Sequence, residues 1–328
     1  MTMCMRTRLV LGIADGGVPV WNVITGIPFM ANAITTRYYP PSGRELWIDS
    51  GGYQALRKGE RISLDFVISR FRSIEADYYV MLDFPPRSET GDLSFARLNF
   101  ELFERLYEKL EDKTIIPVVH HYTINALLWI LDMYDLYKPQ IMTVGGSVPG
   151  LLNRGKKRAA TIVYLALARK LWPRHLHVLG AGSPVMRCIL SHLGIDTADT
   201  ATWKAKAVYA KILIPGAGER YVGNRDIKYG PLYATSSDLI KLEKFLRETG
   251  FPLLEKFTLE ELLHSFKGRA FINAWILTRV NPTPGKGYKW ILNLAKIASN
   301  LSVEELVKLH EYALRTQKIQ ELVRIIST

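Results

Sequence analysis

The chain has 328 residues, of which 48% are hydrophobic and 23% charged, and its 43 Lys and Arg outweigh 31 Asp and Glu to give a formal net charge of +12. That length is enough to bury a large core, as one big α/β domain or two smaller ones, and the composition excludes a low-complexity or disordered chain. The positive excess favours a polyanionic partner such as nucleic acid, whose phosphates reward Lys and Arg through counterion release; a generic basic surface is the alternative.

The first residues, Met1 to Asp15, carry two arginines and then Leu9-Val10-Leu11-Gly12-Ile13. The apolar stretch is short for a secretory leader and no small-residue cleavage site follows, so it reads as a first strand. Further strands are predicted at Leu46–Asp49, Tyr78–Leu82, Ile115–Val119, Ile141–Val144, His177–Leu179 and Ile195–Ala198. Segments of helical period lie between them, at Leu64–Ile74, Phe95–Leu110, Ile124–Tyr134, Ala159–Leu171 and Val185–Leu193. Repeated strand–helix alternation implies a parallel sheet with right-handed crossovers. The number of units suits an α/β (β/α)8 barrel better than the alternative, an open doubly wound sheet.

The remainder reads differently. Leu239–Glu248 is helical and stops at Thr249-Gly250-Phe251-Pro252. Thr258-Leu259-Glu260-Glu261 and Ser302-Val303-Glu304-Glu305 are capping boxes, the second opening an amphipathic helix towards Ile326, and Asn281 to Gly287 is a loop. The expected organisation is a barrel over 1–230 and a helical C-terminal region over 231–328. The two cysteines, Cys4 and Cys188, form no CxxC pair and no disulfide framework, so the chain reads as intracellular and cytoplasmic. No segment approaches the length of a membrane span.

Three strand-ending carboxylates, Asp49, Asp83 and Asp199, would project to the C-terminal face of such a barrel, where active sites form. Converging there, they would repel one another and persist only with a proton, a metal or a cationic substrate between them; singly, each is as readily a helix cap. Asp49 opens the run Asp49-Ser50-Gly51-Gly52-Tyr53-Gln54, whose glycines allow a sharp turn and leave room for a flat ligand. Val118-Val119-His120-His121 places two histidines at another strand end, read as a packed hydrogen-bonded pair in preference to a metal site. Gly145-Gly146-Ser147 and Gly180-Ala181-Gly182-Ser183-Pro184 end two more strands in glycines, which βα turns use routinely but which also let backbone amides reach a ligand.

In this order the motifs resemble those of the tRNA-guanine transglycosylase superfamily. Asp49 to Gln54 resembles the family's Asp-Ser-Gly-Gly-Phe-Gln, and Met81-Leu82-Asp83-Phe84-Pro85-Pro86 sits where the family has its base-recognising Asp. His120 and His121 fall where Val-Gln-Gly is usual. Gly145-Gly146-Ser147-Val148-Pro149-Gly150 resembles Gly-Gly-Leu-Ala-Val-Gly, and His177-Val178-Leu179-Gly180-Ala181-Gly182-Ser183-Pro184 resembles Tyr-Leu-Met-Gly-Val-Gly-Thr-Pro. Gly194-Ile195-Asp196-Thr197-Ala198-Asp199 matches Gly-Ile-Asp-x-Phe-Asp, which ends in the family's nucleophile, and Thr200-Ala201-Thr202-Trp203 is similar to the Ser-Ala-Ser-Tyr of archaeal members. The likeness runs from about residue 45 to 225 in collinear order.

The resemblance implies a (β/α)8 barrel that exchanges guanine in nucleic acid for a free 7-deazaguanine (preQ0-like) base, without a cofactor. It implies Asp199 as nucleophile and Asp49 as general acid/base. Ser50, Gly51, Gly52, Tyr53, Gln54, Asp83, His120, Gly145 and Gly146 would bind the base: Asp83 accepting from its N1–H and amine, the two glycine amides meeting its carbonyl, Tyr53 stacking, and His120 standing in for the family's Gln. A flipped or single-stranded nucleotide would be required. Arg154, Lys156, Lys157 and Arg158, with Lys204 and Lys206, are candidates for phosphate contacts, against the alternative of solvated helix faces. Lys286-Gly287-Tyr288-Lys289-Trp290 mixes basic and aromatic residues as single-strand binders do, though a linker into a helix is favoured.

Two departures shape the expectation. The family's structural zinc is held by three Cys and one His after the nucleophile, and this chain has no cysteine beyond Cys188. No evident RNA-binding domain of the archaeal kind is appended. Both point towards the DpdA-type branch, which inserts 7-deazaguanines into DNA, with tRNA as the alternative polymer and a catalytically silent nucleic-acid-binding paralogue as the alternative class. A homo-oligomer or accessory modification proteins are the further partners considered; a membrane is not.

Overall fold

Nine short strand segments run parallel in one sheet: β1 (Arg8–Ile13), β2 (Phe29–Asn32), β3 (Leu46–Asp49), β4 (Tyr78–Val80), β5 (Ile115–Ile116), β6 (Val118–Val119), β7 (Ile141–Val144), β8 (His175–Val178) and β9 (Thr197–Thr200). The structure is a computed structural model that describes residues 7–13, 17–52, 59, 62–86, 90–152, 156–224, 232–280 and 286–315, the side chains of Lys156 and Lys286 excepted. Tyr53, Gln54, Arg154 and the stretch from 316 to 328, where the last helix was expected to run on towards Ile326, therefore lie outside the described residues.

The strand order is β5-β4-β3-β2-β1-β9-β8-β7-β6. Its two edges, β5 and β6, are consecutive stretches of chain separated by Pro117. Proline has no N–H to give, so the ladder is interrupted there, yet the Pro117 carbonyl still accepts from Thr143 N at 2.9 Å. The sheet thus closes on itself into the eight-staved parallel barrel expected from the alternating pattern. Its strands are buried on both faces, with Val10, Leu11, Trp47, Ile48, Val80, Val118 and Val178 fully enclosed.

Helices α1 (Leu64–Ser73), α2 (Leu93–Lys109), α3 (Ile124–Asp135), α4 (Ser147–Leu152), α5 (Lys156–Leu171), α6 (Pro184–His192) and α7 (Thr202–Val208) follow the strands. Their starts obey capping chemistry: Ser63, Asp92 and Ser183 each accept backbone N–H groups of the first turn. Strand β2 was not expected. It is four residues long and follows β1 through a 3-10 turn at Val20–Asn22, so the strand–helix–strand signal is missing there. The last barrel strand is Thr197–Thr200 where Ile195–Ala198 was expected, which puts Asp199 inside the strand.

Beyond the barrel an unexpected antiparallel hairpin, β10 (Lys211–Ile214) with β11 (Gly218–Tyr221), precedes helices α8 (Ser236–Glu248), α9 (Leu259–His264), α10 (Phe266–Arg279), α11 (Lys289–Asn300) and α12 (Val303–Arg315). Both capping boxes form: Thr258 with Glu261, and Ser302 with Glu305. Helix α10 packs on α7, while α11 and α12 pack on α5. Buried polar contacts fix these elements. The Trp203 indole donates to Gly12 O at 2.8 Å, Asn273 accepts from Leu213 N at 2.8 Å, and Arg187 donates to Leu277 O at 2.7 Å. Among the described residues no helix is long and apolar enough to cross a membrane.

Candidate active site

Asp49, Asp83 and Asp199 meet at the C-terminal mouth of the barrel, and each receives a different environment. Asp49 ends β3, opposite Asn32 at the end of β2 in the parallel register. The Asn32 amide donates to Asp49 Oδ2 at 3.3 Å, while its carbonyl oxygen accepts from Ile34 N and Thr35 N at 2.9 and 3.0 Å, so the amide cannot swing away. Burial, then the negative charges of Asp83 and Asp199, push the Asp49 carboxyl up to about 7, against the opposing pull of the Gly51 and Asn32 donors.

Asp83 lies just past β4 and is buried. Its Oδ2 is 2.9 Å from His120 Nε2, beyond the end of β6. The loop bearing it is clamped by Asn99 of α2, which accepts from Phe84 N at 2.8 Å and donates to Phe84 O at 3.0 Å. His120 is fixed from both sides. Its carbonyl accepts from the Tyr164 hydroxyl, and its ring packs on Gly145 and Gly146, where an added Cβ would come within 2.9 Å of Cε1 and 3.1 Å of Nδ1. These glycines therefore make room for an imidazole, which the expected role of their amides towards a ligand did not include. Among the described residues both His120 ring nitrogens, Nδ1 and Nε2, are buried without a well-aligned hydrogen bond, so the Nε2–Asp83 approach is a close contact of ring and carboxylate.

Asp199 is held at one oxygen. Gly180 N donates to Oδ1 at 2.6 Å, and His177 Nε2 lies 3.2 Å from the same atom. Gly180 has φ +71°, and the space its Cβ would need is filled by Val148 at 2.8 Å, so only glycine presents its amide there. His177 is fully buried, its ring 5.0 Å from that of Trp47, and its Nδ1 is 2.9 Å from Thr197 Oγ1.

The Asp49 turn has a tighter explanation than ligand room alone. Gly51 has φ +83°, and a Cβ would strike Ile34 at 2.6 Å and the Asn32 amide at 2.9 Å. A Cβ on Gly52 would press on the Asp83 carbonyl at 3.1 Å. Buried Ser50 faces Gly52 N. The two histidines expected to pair with each other do not: His120 turns to Asp83, and His121 Nε2 lies 2.7 Å from His310 Nε2 on α12.

The basic residues divide. Arg158 donates to Leu151 O and Leu152 O at 2.6 and 3.0 Å and lies over the Tyr288 ring, so it caps α4 and braces the start of α11. Lys206 pairs with Glu219, which also binds Lys211. Lys204 lies in the first turns of α7, directly after the Asp199 strand, and exposed Lys157 lies on α5. Lys286 to Tyr288 form a 3-10 turn into α11, the linker reading. Sequence reasoning passed over Asn32, Asn99 and His177. Asn32 and Asn99 carry no local signal, whereas His175 and His177, two apart in a strand, share one face of it.

No zinc set of three Cys and one His can be drawn from Cys188, the one cysteine among the described residues, and no group of three His, Cys, Asp or Glu there is placed to hold a metal ion.

Fold and mouth together define a parallel α/β barrel with a carboxylate cluster at its C-terminal end. The chain is 31% identical over 279 residues, 84% of each chain, to a protein of Sulfolobus islandicus rod-shaped virus 1 named uncharacterized protein 306, and it belongs to that protein's family. It is also similar, at 26% identity over 172 residues, to the tRNA-guanine(15) transglycosylase of Aeropyrum pernix; the match covers 47% of this chain and 32% of that enzyme. No family model matches the chain.

Proposed function

We propose that the protein is a nucleic-acid guanine transglycosylase that exchanges guanine for a free 7-deazaguanine base in DNA. The observation that carries this reading is the division of the three carboxylates: two have an imidazole beside them, and the third, Asp49, is poised near neutrality. Base exchange with retention at C1′ needs a nucleophile that stays ionised and a separate group that carries one proton out and back.

Asp199 Oδ2 attacks C1′ while the C1′–N9 bond breaks and its electron pair leaves with the guanine. Asp49 gives the departing base its proton. An incoming 7-deazaguanine then loses its N9 proton to Asp49, N9 attacks C1′, and the bond to Asp199 breaks to restore the carboxylate. Asp83, held by His120 and the Asn99 clamp, accepts from the guanine N1–H and amine, since an ionised carboxylate only accepts. In this reading Ser50, Gly51, Gly52, Tyr53 and Gln54 bind the base together with His120, whose ring Gly145 and Gly146 make room for. Lys204, Lys157 and the neighbouring Arg154 and Lys156 meet the phosphates.

Support for the chemistry comes from the barrel, the carboxylate geometry and the similarity to a tRNA-guanine(15) transglycosylase. Support for DNA comes from the sequence: no cysteine follows Cys188 in these 328 residues, so they offer no three-Cys zinc set of the kind expected of the tRNA enzymes, the departure that the resemblance links to the DpdA-type branch. The test is exchange of labelled guanine into DNA and into tRNA side by side. Label entering DNA is the expected result; label entering tRNA alone would reassign the polymer, and label entering neither would remove the activity.

A further inference from the structure

Asp199 Oδ1 has two neighbours able to donate to it, and only one is backbone. The Gly180 amide is fixed by its loop. The other is a side chain whose state depends on a chain of contacts inside the barrel. A carboxylate only accepts, so His177 Nε2, 3.2 Å from Oδ1, carries the proton between them. His177 Nδ1 is 2.9 Å from Thr197 Oγ1, and the same hydroxyl is 2.8 Å from His175 Nε2. With its one proton at Nε2, His177 accepts at Nδ1 a hydrogen bond from the Thr197 hydroxyl, whose oxygen can accept from His175 Nε2–H in turn. The His177 ring is fully buried and packs against Trp47. The order His175, Thr197, His177, Asp199 fixes one tautomer at one oxygen and leaves Oδ2 as the atom that bonds.

We propose that His177 is the positioning residue that sets the balance between ionised Asp199 and its glycosyl ester. The proposal rests on the reading of Asp199 as nucleophile. The physical reason is that a donor at Oδ1 stabilises a carboxylate more than an ester carbonyl. Its stabilisation is full in the free enzyme, reduced when Asp199 is bonded to C1′, and recovered as the base displaces it. Removing the donor therefore favours the covalent intermediate and slows its breakdown.

The test compares native protein with His177→Leu, His177→Gln and Thr197→Val. Each is checked for an unchanged melting profile and then assayed for turnover and for the fraction of protein covalently bound to guanine-containing DNA at steady state. In His177→Leu, turnover is expected to fall about 10- to 100-fold, the effect of a misplaced catalytic group, while the bound fraction rises several-fold and KM for the free base stays within about twofold. His177→Gln, whose amide donates from a similar position, is expected to restore the native bound fraction. Thr197→Val, which frees the tautomer, is expected to fall between. A folded His177→Leu protein with unchanged turnover, or one that loses turnover and covalent complex together, would overturn the proposal.

A substrate-free measurement separates this proposal from the activity itself. Nitrogen-15 NMR of the native histidines is expected to show His177 protonated at Nε2, with a proton resonance that moves in Asp199→Asn. A bare Nε2 would overturn the proposal whatever the activity. The expected resonance in a protein that forms no adduct with DNA or tRNA would overturn the transglycosylase reading and leave the His177–Asp199 contact standing.

Discussion

Asp49 sits among repelling charges in a desolvated place, and its energetics are measurable apart from any activity. Its folded pKa of about 7 lies above the ordinary 3.8, so the folded state binds more protons than the unfolded chain between those values. Stability is therefore full below about pH 4, falls as pH rises, and above pH 7 is reduced by on the order of 4 kcal/mol. Asp49→Asn removes that penalty, so its melting temperature should exceed the native one at pH 8, with the difference gone at pH 4; equal melting at pH 8 would contradict a carboxyl held above its ordinary range by desolvation and its two acidic neighbours. Asn32 works in the opposite sense. Its removal in Asn32→Ala strips a donor from Asp49, raising that carboxyl further and moving the alkaline limb of the exchange rate, where Asp49 loses the proton it must give, to higher pH. Stability should fall by about 1–2 kcal/mol, read by denaturant titration.

At the scale of elements, helix α12 is docked on the barrel through a buried histidine. Burial lowers His310 to about 4 beside His121 and the Tyr164 ring. A histidine whose folded pKa lies below its unfolded value supports the fold when neutral. Its contribution is present above about pH 6.5 and is lost as pH falls towards 4, amounting to roughly 3 kcal/mol. His310→Phe should flatten the stability profile across that window relative to the native protein, and a parallel decline in both would show that His310 does not carry it. This contact spans 189 residues of sequence and had no local signal, which is why His121 was read as the partner of His120. The strands that end in carboxylates or glycines were legible because an apolar run stopping at Asp or Gly is itself the pattern of a barrel stave. Strand β2 was not, being short and without a following helix, and with it Asn32 was lost. The roles of Gly51, Gly145 and Gly146 were legible only in outline: the sequence marked a close approach, and the structure shows that protein side chains fill it.

Over the whole molecule the net charge of +12 implies an electrostatic attraction to polyanions that weakens with salt. Among the described residues the Lys204 side chain, unlike those of Lys206 and Arg158, meets no carboxylate or carbonyl, so Lys204→Ala should reduce DNA affinity and lower the slope of log affinity against log salt by about 1. Arg158→Ala should instead lower the melting temperature, because its guanidinium caps α4. The barrel and its three convergent carboxylates were legible from the sequence, since a stave pattern repeated along the chain fixes the face to which strand ends point. The most direct measurement of the central claim is mass spectrometry of the protein digested after denaturing quench with guanine-containing DNA. The account expects a pentose-linked adduct on the peptide bearing Asp199, absent in Asp199→Asn. An adduct on another peptide, or base exchange undiminished in Asp199→Asn, would contradict it.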